Sequence, residues 1–221
     1  MTFRFSTTGT DFHYLSSQAV RIALPGVEDP WGPVRTFSLS SSPTETGEIA
    51  VTARISDTPF KQALARLHPG DTAEVVGPLG LFPIDLARPS VLLAAGIGIT
   101  PFRGMLRYAT DLADPRGRRL LYVARSPGEL IFKEELDALA ARFPQVAVEY
   151  SVTRPTDSSA PWTGRVGRID EPWIREAAAR LDRPKFYVGG RPEMVEETLA
   201  ILAGPLGVPE DDVDYEVFRG F

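Results

Sequence analysis

The pattern of apolar and polar residues changes near residue 85. Residues 2–84 contain short segments in which apolar and polar residues alternate, rich in Val, Thr, Ile and Phe and separated by Pro and Gly. Alternation with a period of two is typical of antiparallel strands that bury one face. One helix, predicted at residues 59–67, interrupts this region and ends before Pro69 and Gly70. The first part of the chain is therefore predicted to be an antiparallel β-barrel or sandwich.

The second part of the chain alternates strands with helices. Residues 91–95 form a continuous apolar run, which indicates a strand covered on both faces. Further strands are predicted at residues 120–124, 146–152 and 186–188, and helices at residues 100–112, 129–142, 172–181 and 193–203. This alternation predicts a doubly wound, parallel α/β sheet. We place the boundary in residues 83–89 and expect a β-barrel domain at residues 1–86 and an α/β domain at residues 87–221.

Composition narrows the chemistry. The chain has 221 residues, a formal net charge of -5, two histidines and no cysteine. Without cysteine it forms no disulfide, no thiolate zinc site and no cysteine-ligated iron–sulfur cluster, and we expect no metal site. The negative charge argues against a nucleic-acid partner. No apolar run is long enough for a membrane span and no secretory signal is visible, so a cytoplasmic location is expected.

A glycine-rich turn follows the first strand of the second part. It reads Gly96-Ile97-Gly98-Ile99-Thr100-Pro101. Glycine lets a backbone approach a ligand closely, and the helix after such a turn presents free amide groups to phosphate. The turn therefore indicates a dinucleotide site. An ordinary tight turn of any α/β protein is the alternative.

The β part contains its own candidate site. Arg35, Phe37 and Ser38 supply a cation for phosphate, a flat aromatic ring and a hydroxyl donor, and we expect all three on one face of a strand. Residues 58–61, Thr-Pro-Phe-Lys, open the predicted helix and would supply a second phosphate contact. These residues favour a flavin site, and an ordinary sheet is the alternative.

The ordered set of motifs resembles the ferredoxin–NADP reductase family over nearly the whole chain. The motifs are R-x-F-S at 35–38, T-P-F-K at 58–61, G-P-L-G at 77–80, G-I-G-I-T-P at 96–101, Y-V-G-G-R-P-E-M at 187–194 and E-V-F-R-G-F at 216–221. The resemblance implies a barrel that binds FAD, with FMN less expected, and an α/β domain that binds NADH or NADPH. It also implies hydride transfer to the flavin, and electron transfer to a separate protein such as a ferredoxin, a flavodoxin, a haem protein or an oxygenase component.

The resemblance assigns roles to individual residues. On the flavin it places Arg35, Phe37, Ser38, Val51, Ala53, Thr58, Pro59, Phe60, Lys61 and Phe221, with Val51 and Ala53 acting through their backbone. On the nicotinamide dinucleotide it places Gly96, Ile97, Gly98, Thr100, Pro101, Arg125, Gly189, Gly190, Arg191 and Met194. Ser38, Thr100 and Glu216 form the implied catalytic set. An exposed loop arginine is the alternative for Arg125, and a surface acid is the alternative for Glu216.

Three departures from the family pattern stand out. Gly189 replaces a cysteine, and Ser16-Ser17-Gln18 replaces a P-G-Q turn. Residues 2–5 resemble the second strand of the family's barrel, so we expect a six-stranded barrel whose residues 2–6 fray. Two other functions stay open. One is a flavin reductase whose flavin dissociates, and the other is a non-catalytic nucleotide-binding subunit.

Overall fold

A computed structural model describes residues 1–157 and 161–219 of the chain. The strands are β1 Thr2–Ser6, β2 Ala19–Ala23, β3 Val34–Ser38, β4 Glu48–Thr52, β5 Glu74–Leu79, β6 Ser90–Ala95, β7 Arg118–Ala124, β8 Val146–Val152, β9 Arg165–Val166, β10 Lys185–Gly190 and β11 Val213–Val217. The helices are α1 Pro59–Ala65, α2 Ile99–Asp111, α3 Lys133–Arg142, α4 Glu171–Ala178 and α5 Pro192–Ala203.

The second part of the chain forms one parallel sheet in the order β11-β10-β6-β7-β8-β9. Alternate residues of the central strands face opposite sides. Leu120 and Tyr122 pack with α2 and α3, whereas Leu121 and Val123 pack with α4 and α5. Both faces are therefore covered, which explains the continuous apolar runs. The predicted doubly wound sheet is confirmed.

Two helix boundaries differ from the prediction by three or more residues. Helix α3 begins at Lys133 rather than at residue 129, because residues 127–129 form a 3-10 turn and Phe132 takes a left-handed conformation with φ 61°. Helix α4 ends at Ala178 rather than at residue 181. The short strand β9 carries no apolar run and was not predicted.

The first part of the chain forms two small antiparallel sheets, with the orders β3-β2-β5 and β1-β4. They share an apolar core that includes Val20, Ile22, Val51 and Phe60. One isolated bridge, between Leu39 and Val51, joins them. The described residues thus contain five antiparallel strands in this part rather than six, and the pairing does not run continuously around a closed barrel.

The expected fraying of the first residues is wrong. Thr2 to Ser6 pair in register with residues 48–52 of β4. The amino group of Met1 donates a hydrogen bond to the Ala53 carbonyl at 2.9 Å, and the Ala53 N–H donates to Met1 at 3.0 Å. Backbone pairing on one side, and Phe3 and Phe5 packed against the core, hold this strand.

Ser17 occupies the position of the glycine in the family's P-G-Q turn. It adopts φ 65°, a left-handed conformation that glycine takes more easily than serine. Its hydroxyl donates a hydrogen bond to the Phe82 carbonyl at 2.5 Å. The turn therefore keeps a glycine-like backbone, and the hydroxyl ties it to the segment that leads into the α/β part.

The two parts of the chain meet along α2. Arg103, which is 6% exposed, donates to the Ser40 carbonyl at 3.0 Å, to Glu45 Oε1 at 3.0 Å and to Glu135 Oε1 at 2.6 Å. We call these four residues the Arg103 cluster. Burial lowers the pKa of Arg103, but the hydrogen bonds and charges of Glu45 and Glu135 outweigh it and raise that pKa above its usual range. The cluster therefore joins the loop after β3 to α2 and α3 through the buried guanidinium group of Arg103.

Among residues 1–157 and 161–219, none of the helices has the length and apolar character needed to cross a membrane. The same residues bring together no group of three histidine or carboxylate side chains that would suit a metal ion.

Candidate functional site

The carboxyl edge of the parallel sheet contains a switch in strand order. From β6 the chain moves outward through β7 and β8, and then crosses to β10 on the other side of β6. In open α/β sheets the loops on either side of such a switch leave a crevice in which ligands bind. Here those loops are the glycine turn at Gly96–Gly98 after β6 and the residues that follow Gly190 at the end of β10. The edge therefore has the geometry expected of a dinucleotide site.

The two loops touch through residues that lack side chains. A Cβ atom added to Gly98 would lie 2.2 Å from the Gly189 carbonyl oxygen and 2.8 Å from the Gly190 nitrogen. A Cβ atom added to Gly189 would lie 2.9 Å from the Gly98 oxygen and 3.1 Å from the Phe102 ring. The glycine that replaces the family's cysteine therefore stands where a side chain has no room unless Gly98 or Phe102 shifts.

Other predicted dinucleotide residues lie around this contact. Gly96 has φ 55° and open space above its Cα, while a Cβ on Gly190 would lie 2.7 Å from Met194 Sδ. Arg191 is exposed and immediately precedes α5. Ile97 is half-buried between the two glycines of the turn.

Thr100 and Pro101 are less accessible than expected. Both are buried in α2, which begins at Ile99, so Pro101 is its third residue. The Thr100 hydroxyl donates to the Ile97 carbonyl at 3.1 Å. Thr100 therefore fixes the glycine turn, and its predicted contact with the carboxamide stays a prediction.

Arg125 follows β7 at the same edge of the sheet. Its Nη2 and Nε atoms donate to Asp157 Oδ2 at 3.0 and 3.2 Å, and its side chain is about half exposed. Arg154 lies 3.9 Å from the same carboxylate. The structure therefore places Arg125 at the carboxyl edge of the sheet in an ion pair with Asp157, and its predicted contact with the adenosine ribose stays a prediction.

Ser38 and Glu216 come from different parts of the chain and meet. The Ser38 hydroxyl donates to Glu216 Oε1 at 2.9 Å, joining the end of β3 to β11. The Oε2 atom of Glu216 is buried and has no hydrogen-bond partner among the described residues. Burial raises the pKa of Glu216, and the hydrogen bond from Ser38 opposes this only in part. Since Glu216 lies beside Gly189 in the β10–β11 pairing, this carboxyl group is next to the glycine contact.

Arg35, Phe37 and Ser38 do not share one face of β3. Side chains alternate along a strand, so residues 35 and 37 face one way and residue 38 the other. Arg35 lies over the Phe60 ring with its Cζ 5.1 Å from the centroid, and Phe37 stacks on the same ring at 6.2 Å. Ser38 faces Glu216 instead. The hydroxyl group therefore belongs to the junction with the α/β part, and the arginine and the aromatic ring to the interior of the β part.

The Arg35 guanidinium is almost fully engaged within the protein. Its Nη1 atom donates to the carbonyls of Gly32, Val34 and Trp31 at 2.8, 2.9 and 3.1 Å, and its Nη2 atom donates to Asp29 Oδ1 at 2.5 Å. Its Nε atom is buried and has no partner among the described residues. Asp29 was not predicted to belong to this site, because nothing in the local sequence distinguishes it from other loop aspartates.

A second buried cation lies close to Arg35. Lys61 is 6% exposed. Burial lowers the pKa of Lys61, and the positive charges of Arg35 and Arg54 lower it further. The Thr58 hydroxyl is buried without a hydrogen-bond partner among the described residues, and Pro59 is exposed at the first turn of α1. Positive charge is thus concentrated in the interior of the β part.

Two other predicted flavin contacts are occupied by protein. The sole backbone donor of Ala53 is used by Met1, and Val51 pairs with both Phe3 and Leu39. Contact of their backbone with a flavin stays a prediction that requires some rearrangement. Phe221 lies outside the described residues.

The charged groups in the β part suit a flavin that carries phosphate. A buried lysine whose pKa is lowered by burial and by neighbouring arginines is a group that a phosphate would satisfy. So are the Arg35 Nε atom and the Thr58 hydroxyl, which have no hydrogen-bond partner among the described residues. Phe37 and Phe60 offer aromatic surface beside them. The Asp29 carboxylate, bonded to Arg35 at the same place, opposes an anion.

The fold and the site define a class of protein. A small antiparallel part with buried cations is joined to a parallel sheet with a glycine-lined carboxyl edge, and Ser38 and Glu216 connect the two. This is the arrangement of an oxidoreductase that brings a flavin and a nicotinamide dinucleotide together.

Comparisons with known proteins agree with this class. Residues 92–199 match the family model described as oxidoreductase NAD-binding domain. The ferredoxin--NADP reductase B of Sorangium cellulosum is 33% identical over 218 residues, which cover 94% of this chain and 86% of that protein. The toluate 1,2-dioxygenase electron transfer component of Pseudomonas putida is 30% identical over 210 residues, which cover 93% of this chain and 59% of that protein.

A solved structure shows the same fold. The flavohem-like FAD/NAD-binding domain of nitric oxide dioxygenase from Vibrio cholerae O1 biovar El Tor superposes with a TM-score of 0.82 at 21% identity, covering 98% of this chain and 91% of that one. The chain belongs to the ferredoxin–NADP reductase family. It is an NAD(P)H-dependent flavin oxidoreductase, and its cofactors are FAD and NADH or NADPH.

Proposed function

We propose that the chain takes a hydride from NAD(P)H at the carboxyl edge of the parallel sheet and passes electrons to a separate protein. The hydrogen bond between Ser38 and Glu216 carries this proposal, because it joins the flavin part to the edge of β10 and β11. FAD, when bound, accepts a hydride and releases electrons singly. The protein's own contribution is binding, orientation and control of charge.

Individual roles follow from the contacts. We assign Arg35, Lys61 and Thr58 to the flavin phosphates, and Phe37 and Phe60 to apolar contact with the flavin. At the hydride path, the Ser38 hydroxyl donates to one carboxylate oxygen of Glu216, and the buried Oε2 atom holds a proton more readily than an exposed carboxylate does.

The nucleotide roles follow from the glycine contact. The turn at Gly96–Gly98 and the close approach of Gly98 to Gly189 keep side chains out of the crevice, so that the dinucleotide backbone and the nicotinamide would lie against main chain. Arg125, Arg191 and Met194 are assigned to the rim of this crevice. The division into a FAD-binding domain at residues 1–86 and an NAD(P)-binding domain at residues 87–221 belongs to the same proposal.

The proposed acceptor is a protein that this chain does not contain. One relative is named as a ferredoxin--NADP reductase and another as the electron transfer component of a dioxygenase. Both names are those of electron carriers that serve a second protein. A ferredoxin, flavodoxin, haem protein or oxygenase component is therefore the acceptor class that we propose, together with a cytoplasmic location.

A second candidate function has one observation in its favour. The Arg35 guanidinium is bound to Asp29 and to three carbonyls, which leaves it little capacity for a flavin phosphate. Weak retention of flavin would make flavin a substrate that binds and leaves, as in a flavin reductase.

One experiment separates the two functions. The protein is loaded with FAD, passed through a desalting column, and the flavin that stays bound is released and identified by chromatography. A resident-flavin reductase retains FAD at close to one per chain and oxidises NAD(P)H with a one-electron acceptor without added flavin. A protein that emerges colourless, yet oxidises NAD(P)H only when free flavin is supplied, is a flavin reductase. A protein that neither binds flavin nor oxidises NAD(P)H contradicts both.

A further inference from the structure

Asp29 is a fully buried acid in the loop between β2 and β3. Its side chain has 0% exposure in the ion pair with Arg35. Its Oδ1 atom accepts from Arg35 Nη2 at 2.5 Å and from the Trp31 N–H at 2.8 Å, and its Oδ2 atom accepts from the Phe60 N–H at 3.0 Å. One carboxylate therefore collects a guanidinium and two backbone amides.

These partners are the groups that bind a phosphate. Guanidinium groups and backbone N–H donors are the usual ligands of phosphate oxygens in proteins. Burial raises the pKa of Asp29, but hydrogen bonds from Phe60, Trp31 and Arg35 together lower it more, so the carboxylate is charged near neutral pH. Asp29 thus resembles a bound anion that the protein itself supplies.

The hydrogen-bonding capacity of Arg35 beside Asp29 is not fully used. The Nε atom of Arg35 is buried and has no hydrogen-bond partner in residues 1–157 and 161–219, and Nη1 is shared among three carbonyls. Burial and the charges of Arg35 and Arg54 lower the pKa of Lys61, so these cations lie close enough to interact. An entering phosphate finds attraction from the cations and repulsion from the Asp29 carboxylate at the same point.

We propose that Asp29 is an internal competitor for the flavin phosphate, which occupies Arg35 in the flavin-free protein and weakens the binding of phosphorylated flavins. This inference rests on the proposed function, since it requires that the β part binds flavin. Riboflavin has no phosphate, so it is insensitive to the competitor. Like charges placed against one another in a binding site weaken binding strongly.

The test compares three flavins on two flavin-free proteins. Wild-type protein and the Asp29→Asn variant are titrated with riboflavin, FMN and FAD, and the dissociation constants are read from flavin fluorescence. Asparagine keeps the size of the side chain and one acceptor oxygen, which serves one of the two amides, but removes the charge. We expect FMN and FAD to bind at least about tenfold more tightly to the variant (about 1.4 kcal/mol), with riboflavin unchanged. Asp11→Asn makes the same change at an exposed aspartate of the β part, outside the proposed flavin residues, and serves as the matched control, which leaves all three constants unchanged.

The outcomes are distinct. Unchanged or weaker FMN and FAD binding in Asp29→Asn, or an equal gain for riboflavin, overturns the role of Asp29 and leaves the proposed function standing. Wild-type protein that binds none of the three flavins overturns the proposed function as well. If the Asp29→Asn variant does not fold, the wild-type dissociation constants for FMN and riboflavin test the proposal. Competition predicts that FMN binds less than about tenfold more tightly than riboflavin, and a larger ratio contradicts it.

Discussion

Two of the polar contacts at the boundary between the two parts of the chain differ in character. In the Arg103 cluster a buried guanidinium is bonded to Glu45, Glu135 and the Ser40 carbonyl. In the Ser38–Glu216 pair one carboxylate oxygen is bonded and the other is buried without a partner among the described residues. Buried polar groups are nearly always paired, so the first contact is explained by stability and the second is not. We therefore interpret the Arg103 cluster as a structural contact and the Ser38–Glu216 pair as part of the site that carries out the chemistry.

The largest effect is expected when the Arg103 cluster is broken. Arg103→Met leaves Glu45 without its buried partner, and removal of one member of a buried ion pair costs about 3–5 kcal/mol. We expect the free energy of unfolding in urea to fall by this amount. Arg107→Met is the matched control on the same helix, because its pair with Asp111 is partly exposed and four residues apart, and such pairs contribute about 0.3–0.5 kcal/mol. Equal losses in the two variants would show that the cluster is not a structural contact.

A smaller loss of stability, combined with a loss of binding, is expected at the glycine contact. Gly98→Ala places a Cβ atom 2.2 Å from the Gly189 carbonyl oxygen, and only backbone atoms are available to move. Overpacking of this kind costs about 1–3 kcal/mol, and the displaced loop should bind NADPH and NADH at least about tenfold more weakly. Calorimetric titration and urea unfolding measure both. Gly128→Ala is the control, since a Cβ at this position meets nothing within 4 Å, and nucleotide binding as tight in Gly98→Ala as in Gly128→Ala would place the site elsewhere.

The smallest effect on stability is expected at Glu216, where the substitution should increase the free energy of unfolding rather than lower it. Burial raises the pKa of Glu216 above its ordinary 4.5, so folding takes up a proton, and the free energy of unfolding falls as pH rises between the unfolded and folded pKa values. Glu216→Gln removes this dependence. The variant should be more stable than wild type at pH 8, and the gain should shrink as pH is lowered towards 4.5, while hydride transfer slows. Glu196→Gln, an exposed change on α5, controls for the lost charge. A less stable Glu216→Gln protein at pH 8 would show that the carboxylate is satisfied after all.

The parallel sheet was predictable from sequence because its strands are buried on both faces. Residues 91–95 and 120–124 read as continuous apolar runs, and each coincides with a strand. The glycine turn was predictable because its glycines lie close together in sequence, directly after an apolar strand. What sequence did not reveal was why Gly189 is a glycine, since its neighbour Gly98 lies far away along the chain.

The structure of the β part was predicted less well because it depends on polar contacts between residues that lie far apart in sequence. Asp29 binds Arg35 and the Phe60 amide, which lies 31 residues further on, and no local pattern records that pairing. The alternation rule, applied strictly, separates Ser38 from Arg35, but the partner that explains Ser38 is Glu216, 178 residues away. An antiparallel barrel or sandwich was expected from the alternating pattern, whereas the structure has two small sheets that the Leu39–Val51 bridge joins.

The central claim is that this chain carries a flavin which a nicotinamide dinucleotide reduces. The most direct measurement is anaerobic titration of the FAD-loaded protein with NADH and with NADPH, followed by the visible flavin absorption band. We expect one or both nucleotides to bleach the band stoichiometrically, and Glu216→Gln to bleach more slowly to the same end point. Flavin that stays oxidised with both nucleotides, yet is bleached by dithionite, would contradict the account.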